Sequence, residues 1–179
     1  RVAGGAGGMG RAGAGRVGRA GGGVVVADVN AAGGRETVKL IEADGGTAHF
    51  VSADVARGED VQAMVAEVLN VYGRLDYAHN NAGVSSGSFA VADFPEAEWD
   101  RVVAIMLRGV FLCMKYEIPH MLAQGGGAIV NTASGAGLVG YPGQCAPVPP
   151  KPAVLGPPQP PDLQCAPLGT LANAQSPGP

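Results

Sequence analysis

The chain has 179 residues, of which 46% are hydrophobic and 15% are charged, so it is long and apolar enough to bury the core of one domain. Its formal net charge of -3 at pH 7 argues against nucleic acid as a partner, because binding to a duplex relies on many Lys and Arg contacts to phosphate. Three cysteines without a CxxC spacing indicate neither a disulfide framework nor a metal site.

The apolar runs are too short to cross a membrane. The longest, residues 102–107, falls far below the roughly 20 residues that a bilayer requires. We therefore expect no membrane partner, and a reducing cytoplasm is the simplest location for a chain with so few cysteines. Eleven glycines among the first 23 residues also argue against an amphipathic transit peptide.

Composition divides the chain, which we expect to form one domain over residues 1–179, into three zones. Residues 1–23 are a Gly-rich head, residues 24–143 an ordinary α/β body, and residues 144–179 a Pro-rich tail. In the head, Gly13, Gly15 and Gly18 fall within the first predicted helix. Each costs that helix roughly 1 kcal/mol relative to alanine, so we expect it to be weak.

In the body, continuous apolar runs alternate with helical patterns. The runs are typical of buried parallel strands and occupy residues 24–26, 48–51, 75–78 and 128–130. One helical pattern offers an apolar face made of Val61, Met64, Val65, Val68 and Leu69. A longer one, over residues 96–122, offers Trp99, Val102, Val103, Met106 and Val110. Strand alternating with helix predicts the α/β class with a doubly wound parallel sheet.

The tail cannot easily continue this pattern. Twelve of the fourteen prolines lie at or after Pro142, and each proline inside a helix costs about 3 kcal/mol through its missing N–H and its ring clash. We therefore expect extended or disordered chain there.

The glycine spacing near the start suits a phosphate group. Gly4, Gly8 and Gly10, with Met9 between the last two, allow a backbone turn to approach a pyrophosphate at a helix N-terminus. The chain has neither GxxxxGKS nor GxxxxGKT, so a P-loop is not supported. In so Gly-rich a stretch, a flexible head without a ligand is the alternative.

Two aspartates follow predicted strands at positions that suit a nucleotide. Asp28 lies about 20 residues beyond the glycines, where a carboxylate accepts hydrogen bonds from ribose hydroxyls and repels a 2′-phosphate. NAD is therefore favoured over NADP. Asp54 and Val55 follow the next predicted strand. Ordinary loop aspartates are the alternative.

A third strand end carries the turn Asn80-Asn81-Ala82-Gly83, whose small residues would let the chain pass close to a cofactor. An Asn-Gly turn without a ligand is the alternative. The last predicted strand leads to Ser134, which places a hydroxyl where α/β sheets carry their chemistry.

Taken together, these motifs resemble the short-chain dehydrogenase/reductase family. The resemblance implies a Rossmann-like fold, here truncated at both ends, and NAD as the cofactor. The cofactor would be held by Gly4, Gly8, Met9, Gly10, Asp28, Asp54, Val55, Asn81, Ala82, Gly83 and Lys151.

The resemblance also implies catalytic roles. Ser134 would hold the substrate oxygen, and Lys151 would bind ribose and tune a tyrosine. That tyrosine position is Pro147, and Met106 occupies the position of a family asparagine. Since proline has no proton to give to an alkoxide, we expect activity to be impaired.

The function that this predicts is hydride transfer between nicotinamide and a small secondary alcohol or ketone. A noncatalytic NAD-binding module, a nonfunctional fragment and a partner-binding protein with a Pro-rich ligand tail are the alternatives. The resemblance implies a homo-tetramer or dimer, which would need both of the helices that usually form its main interface to be intact.

Chain length and the two ends also favour a fragment. Family members are single domains of roughly 250 residues, and Arg1 and Val2 are all that remains of a first strand. We expect a partial, error-bearing or decayed reading of a gene whose intact product was an active dehydrogenase.

Overall fold

The computed structural model describes residues 6–87, 89–132 and 170–175. Helices and strands alternate along these residues. The first half contains α1 (Gly8–Arg19), β1 (Gly23–Asp28), α2 (Ala31–Ala43), β2 (Thr47–Ser52), α3 (Gly58–Tyr72) and β3 (Tyr77–Asn80). A 3-10 turn (Val91–Asp93), α4 (Glu96–Val103), a π-helical segment (Ala104–Arg108), α5 (Gly109–Ala123), β4 (Gly127–Thr132) and β5 (Thr170–Gln175) follow.

All of the strand pairs among the described residues are parallel. β1 pairs with β2, with Gly23 opposite Thr47. β4 lies between β3 and β5, with Ala128 opposite Tyr77 and Gly127 opposite Thr170. Parallel strands joined by helices confirm the predicted α/β class.

Side chains of β1 alternate between two helical layers. Val24 and Val26 pack with residues of α1 and α2, whereas Val25 and Ala27 pack with residues of α3 and α5. Because successive side chains of a strand point to opposite faces, helices cover the sheet on both sides. This arrangement is the predicted doubly wound fold.

The predicted third strand is displaced by two residues. It was expected over residues 75–78, but β3 begins at Tyr77 and ends at Asn80. The side chain of Gln124 occupies both backbone groups of Leu75, accepting from its N–H at 3.0 Å and donating to its carbonyl at 2.6 Å. Leu75 is buried, but because its backbone groups bond to Gln124 it does not belong to the strand.

The apolar face of the long helix also differs from the prediction. Val102, Met106 and Val110 are buried as expected, but Trp99 is 40% exposed. Its ring lies edge-on to Phe94, with the ring centroids 6.4 Å apart. In α3, Val61, Met64, Val65 and Val68 form the predicted buried face.

The glycines of α1 are unfavourable for a helix by propensity, but they allow close packing. A Cβ at residue 18 would lie 2.6 Å from Cγ2 of Ile41, and one at residue 13 would lie 3.0 Å from Nδ1 of His79. These glycines therefore let Ile41 of α2 and His79 of β3 pack directly against α1. Within the described part of the chain, no helix has the length and apolarity needed to cross a membrane.

Candidate functional site

The start of α1 presents backbone N–H groups without a side-chain cap. Gly7 precedes the helix in an extended conformation, and the first intrahelical bond runs from Arg11 N to Gly7 O at 2.9 Å. The N–H groups of Gly8, Met9 and Gly10 thus lie ahead of the helical ladder. No acidic side chain occupies the first turn, so the helix start suits an anion.

Space is available beside this helix start. A Cβ at Gly7 or Gly8 would meet no heavy atom within 4 Å, and Gly8 and Met9 are exposed. Open space therefore lies beside Gly7 and Gly8, whereas Gly10 is buried against the rest of the fold. Gly4 lies outside the described residues.

Asp28 lies at the end of β1 and is joined directly to the turn before α1. Its Oδ2 accepts a hydrogen bond from Ala6 N at 2.8 Å, and its Oδ1 accepts one from Asn30 N at 2.8 Å. These two backbone bonds fix the carboxylate beside the glycine turn. The sequence predicted that Asp28 and the glycines act together, and the geometry brings them together.

Arg11 is part of this site, although the sequence analysis did not identify it. Its Nη2 donates to Ala6 O at 2.9 Å, and its Nε donates to Thr37 Oγ1 at 3.1 Å. Both backbone groups of Ala6 are therefore held, the N–H by Asp28 and the carbonyl by Arg11. The only sequence signal was a basic residue beside a glycine motif.

Asp54 organises the turn after β2. Its Oδ1 accepts from Ala56 N at 2.9 Å, and its N–H donates to Asp60 Oδ2 at 3.0 Å. Arg108 of the π-helical segment donates to the carbonyl of Ala56. The neighbouring Val55 packs closely against Gly109, since a Cβ added at Gly109 would lie 2.8 Å from Val55 Cγ2.

One pocket brings together three of the predicted positions. Val55, Asn81 and Ala82 line it, together with side chains from β1, α3, the π-helical segment and α5. Gly83 follows at an exposed position. The turns after β2 and β3 therefore face one cavity at the carboxyl ends of the strands, where open α/β sheets bind ligands.

A buried polar cluster lies under this pocket. Asn80 Nδ2 donates to Glu117 Oε2 at 3.1 Å and to Asn131 Oδ1 at 3.0 Å. Burial raises the pKa of Glu117 to about 7, against the opposing effect of the Asn80 hydrogen bond. Burial, with a smaller contribution from Glu117, also raises the pKa of the Cys113 thiol. The sequence analysis did not identify Glu117.

A second polar cluster lies at the same strand ends. His79 Nε2 and Thr132 Oγ1 are 2.8 Å apart, and Thr132 Oγ1 donates to Asn81 Oδ1 at 3.0 Å. Asn81 is thereby joined to β4 as well as to the pocket. Neither His79 nor Thr132 was predicted as a site residue.

The proposed catalytic positions are only partly described. Ser134, Pro147 and Lys151 lie outside the described residues. Met106, at the position of the family asparagine, is buried within the π-helical segment. Among the residues that the structure describes, no group of three or more His, Cys, Asp or Glu side chains could hold a metal ion.

Three comparisons with known proteins agree with one another. A family model described as short chain dehydrogenase matches residues 1–178. A 2,5-dichloro-2,5-cyclohexadiene-1,4-diol dehydrogenase of Sphingobium indicum is 40% identical over 156 residues, which are 87% of this chain and 61% of that protein. A 3-oxoacyl-[acyl-carrier-protein] reductase of Staphylococcus aureus is 38% identical over 154 residues, 84% of this chain and 62% of that protein.

The solved structures show the same similarity. NAD+-bound xylitol dehydrogenase superposes with a TM-score of 0.92 at 32% identity, covering 99% of this chain and 70% of that one. The fold is therefore Rossmann-like. The chain spans about 61% of the length of the curated relative from Sphingobium.

Proposed function

The chain belongs to the short-chain dehydrogenase family, and we propose on that basis that it binds NAD(H) at the carboxyl ends of its strands. One observation carries the proposal. The uncapped start of α1, the Asp28 carboxylate and the pocket lined by Val55 and Asn81 all lie at these strand ends. This is where dinucleotide-binding sheets hold their ligand.

Each part of the site would make a different contact. The N–H groups of Gly8, Met9 and Gly10 would bind the pyrophosphate, with Gly4 completing the turn. Asp28 would accept hydrogen bonds from the adenosine ribose hydroxyls. Asp54, Val55, Asn81, Ala82 and Gly83 would border the adenine and its ribose. The start of α1 fits the pyrophosphate because it has open space beside it and no acidic side chain in its first turn.

Asp28 also favours NAD over NADP. A carboxylate fixed by Ala6 N and Asn30 N would lie close to a 2′-phosphate, and two negative charges at such a distance repel each other. A noncharged side chain at residue 28 would remove this repulsion.

The proposed reaction of the family protein is hydride transfer to or from a small secondary alcohol or ketone. Bound nicotinamide supplies or accepts the hydride. Ser134 would hold the substrate oxygen, and Lys151 would bind the nicotinamide ribose. Pro147 replaces the expected proton donor, and loss of a general acid commonly lowers the rate by roughly 10² to 10⁴. We therefore propose a chain that binds cofactor but turns over poorly.

Isothermal titration of the full chain with NADH and with NADPH tests the nucleotide site. We expect micromolar binding of NADH and a weaker affinity for NADPH. Asp28→Ala should weaken NADH binding by about 10- to 100-fold, the range expected from losing hydrogen bonds to a charged group. The same variant should bind NADPH no more weakly than the unmodified chain does.

Asp100→Ala is the matched control, because Asp100 is exposed on α4. It should leave both affinities unchanged. If Asp28→Ala left the ratio of the two affinities unchanged, Asp28 would have no role in selecting the cofactor. If the unmodified chain bound neither nucleotide, the proposed function would be wrong.

A further inference from the structure

We propose that His79 is a positioning residue for the cofactor site, acting through Thr132 to fix the orientation of the Asn81 side-chain amide. The inference rests on the proposed NAD(H) site, because Asn81 lines the pocket assigned to it. It adds two residues to that site, one at the end of β3 and one at the end of β4.

The three side chains form a hydrogen-bond chain with a defined direction. Thr132 Oγ1 donates its single proton to Asn81 Oδ1 at 3.0 Å. A hydroxyl has one proton to donate, so its contact of 2.8 Å with His79 Nε2 requires the imidazole to donate. With the Asn81 amide in this orientation, we infer that His79 carries its proton on Nε2.

This direction determines what Asn81 can offer to a ligand. Its amide oxygen faces Thr132, so we infer that the amide nitrogen, a donor with two protons, is the group turned toward the pocket that Asn81 lines. Were the amide turned over, the pocket would instead meet an acceptor. The His79–Thr132 pair thus selects a donor at this position of the site.

Packing holds the histidine ring in place. A Cβ at residue 13 would lie 3.0 Å from its Nδ1 and 3.4 Å from its Cε1, so the ring lies directly against α1. Thr132 is 5% exposed. Only glycine at residue 13 leaves room for the ring without displacement, which explains one of the unfavourable glycines in this helix.

The opposite face of β3 is fixed independently. Asn80 donates to Glu117 of α5 and to Asn131 of β4, and alternation along the strand directs it away from His79. The end of β3 is thereby held on both faces. Asn81 then depends on Thr132 for the orientation of its amide.

Nucleotide titrations of four variants test the positioning role. His79→Phe keeps an aromatic ring but removes the donor, and Thr132→Val keeps the shape but removes the hydroxyl. Each should weaken NADH binding by about 2- to 10-fold, the effect of losing a neutral hydrogen bond. Thr132→Ser keeps the hydroxyl and should bind within about twofold of the unmodified chain, as should His120→Phe at an exposed site.

The double variant His79→Phe with Thr132→Val adds a test that a purely structural role would fail. The effects of substitutions within one hydrogen-bond chain on the binding free energy do not add. The double variant should therefore bind NADH no more weakly than the weaker-binding of the two single variants. Fully multiplied effects would mean that His79 and Thr132 act separately and would overturn the inference.

A measurement on the histidine itself does not depend on cofactor binding. Long-range ¹H–¹⁵N spectra of the unmodified chain above the imidazole pKa should show His79 protonated on Nε2. A proton on Nδ1 would overturn the inference whatever the titrations show. If all variants bound NADH as tightly as the unmodified chain, the inference about His79 would be overturned but the proposed function would stand. If the unmodified chain bound no NADH, the proposed function itself would be contradicted.

Discussion

Replacing Glu117 with glutamine should stabilise the protein at neutral pH and above. Glu117 is 1% exposed, and Asn80 Nδ2 donates to its carboxyl group. Burial raises its pKa from the ordinary value of 4.5 to about 7. The folded protein therefore binds a proton more tightly than the unfolded chain does between these two values.

The sign and size of the effect follow from this difference. A raised carboxyl pKa gives a stabilisation that is complete below about pH 4.5 and is lost as the pH rises through about 7. A shift of this size corresponds to about 3 kcal/mol. Glu117→Gln should therefore gain about 3 kcal/mol in the free energy of unfolding, relative to the unmodified chain, between pH 4 and pH 8.

Urea denaturation from pH 4 to pH 8, followed by the fluorescence of Trp99, would measure this difference. Glu42→Gln, at an exposed position of α2, serves as the control and should follow the unmodified chain at every pH. A difference between Glu117→Gln and the unmodified chain that stays constant with pH would refute the reasoning. It would mean that Glu117 has the same proton affinity in the folded and unfolded states.

Further predictions concern the glycine-rich helix and the catalytic gap. Gly15→Ala should raise the free energy of unfolding by up to about 1 kcal/mol, because a Cβ there meets only the Arg19 guanidinium, at 3.6 Å. Gly18→Ala should lower it, because its Cβ would lie 2.6 Å from the buried, β-branched Ile41; thermal unfolding shifts of the same sign for both variants would contradict this account. Pro147→Tyr alone should not bring about ketone reduction, since each neighbouring proline in the sequence would cost a helix around Lys151 about 3 kcal/mol. Measurable NADH oxidation by that variant with a panel of ketones would contradict this prediction.

The sequence was sufficient for the class of fold and for most strands. Continuous apolar runs identified β1, β2 and β4. The reason is clearest for β1, whose four central residues are all buried and which therefore favours apolar residues at every such position. β2 has no fully buried residue, so its predicted burial was wrong although its location was right. The same signal misplaced β3, because Leu75 is as apolar as a strand residue. Its backbone bonds to Gln124, a residue 49 positions away, and no local pattern encodes such a contact.

The site shows a similar division. The glycine turn and Asp28 were predictable because backbone turns and strand ends have local signatures. His79 and Glu117 were not, since their hydrogen-bond partners lie 53 and 37 residues away. Arg11 was not either, because it bonds both to Ala6, five residues away, and to Thr37, 26 residues away, and only the folded chain brings these two together. Each of these three residues takes its role from a neighbour that only the folded chain brings near.

The most direct test of the central claim is to locate NADH on the protein. Titration of ¹⁵N-labelled chain, followed by ¹H–¹⁵N correlation spectra, reports which backbone amides sense the ligand. We predict that the largest shifts belong to Gly8, Met9 and Gly10 at the start of α1, with further shifts at Val55 and Asn81. Saturating NADH that left these amides unmoved, or that shifted only residues away from the strand ends, would contradict the account.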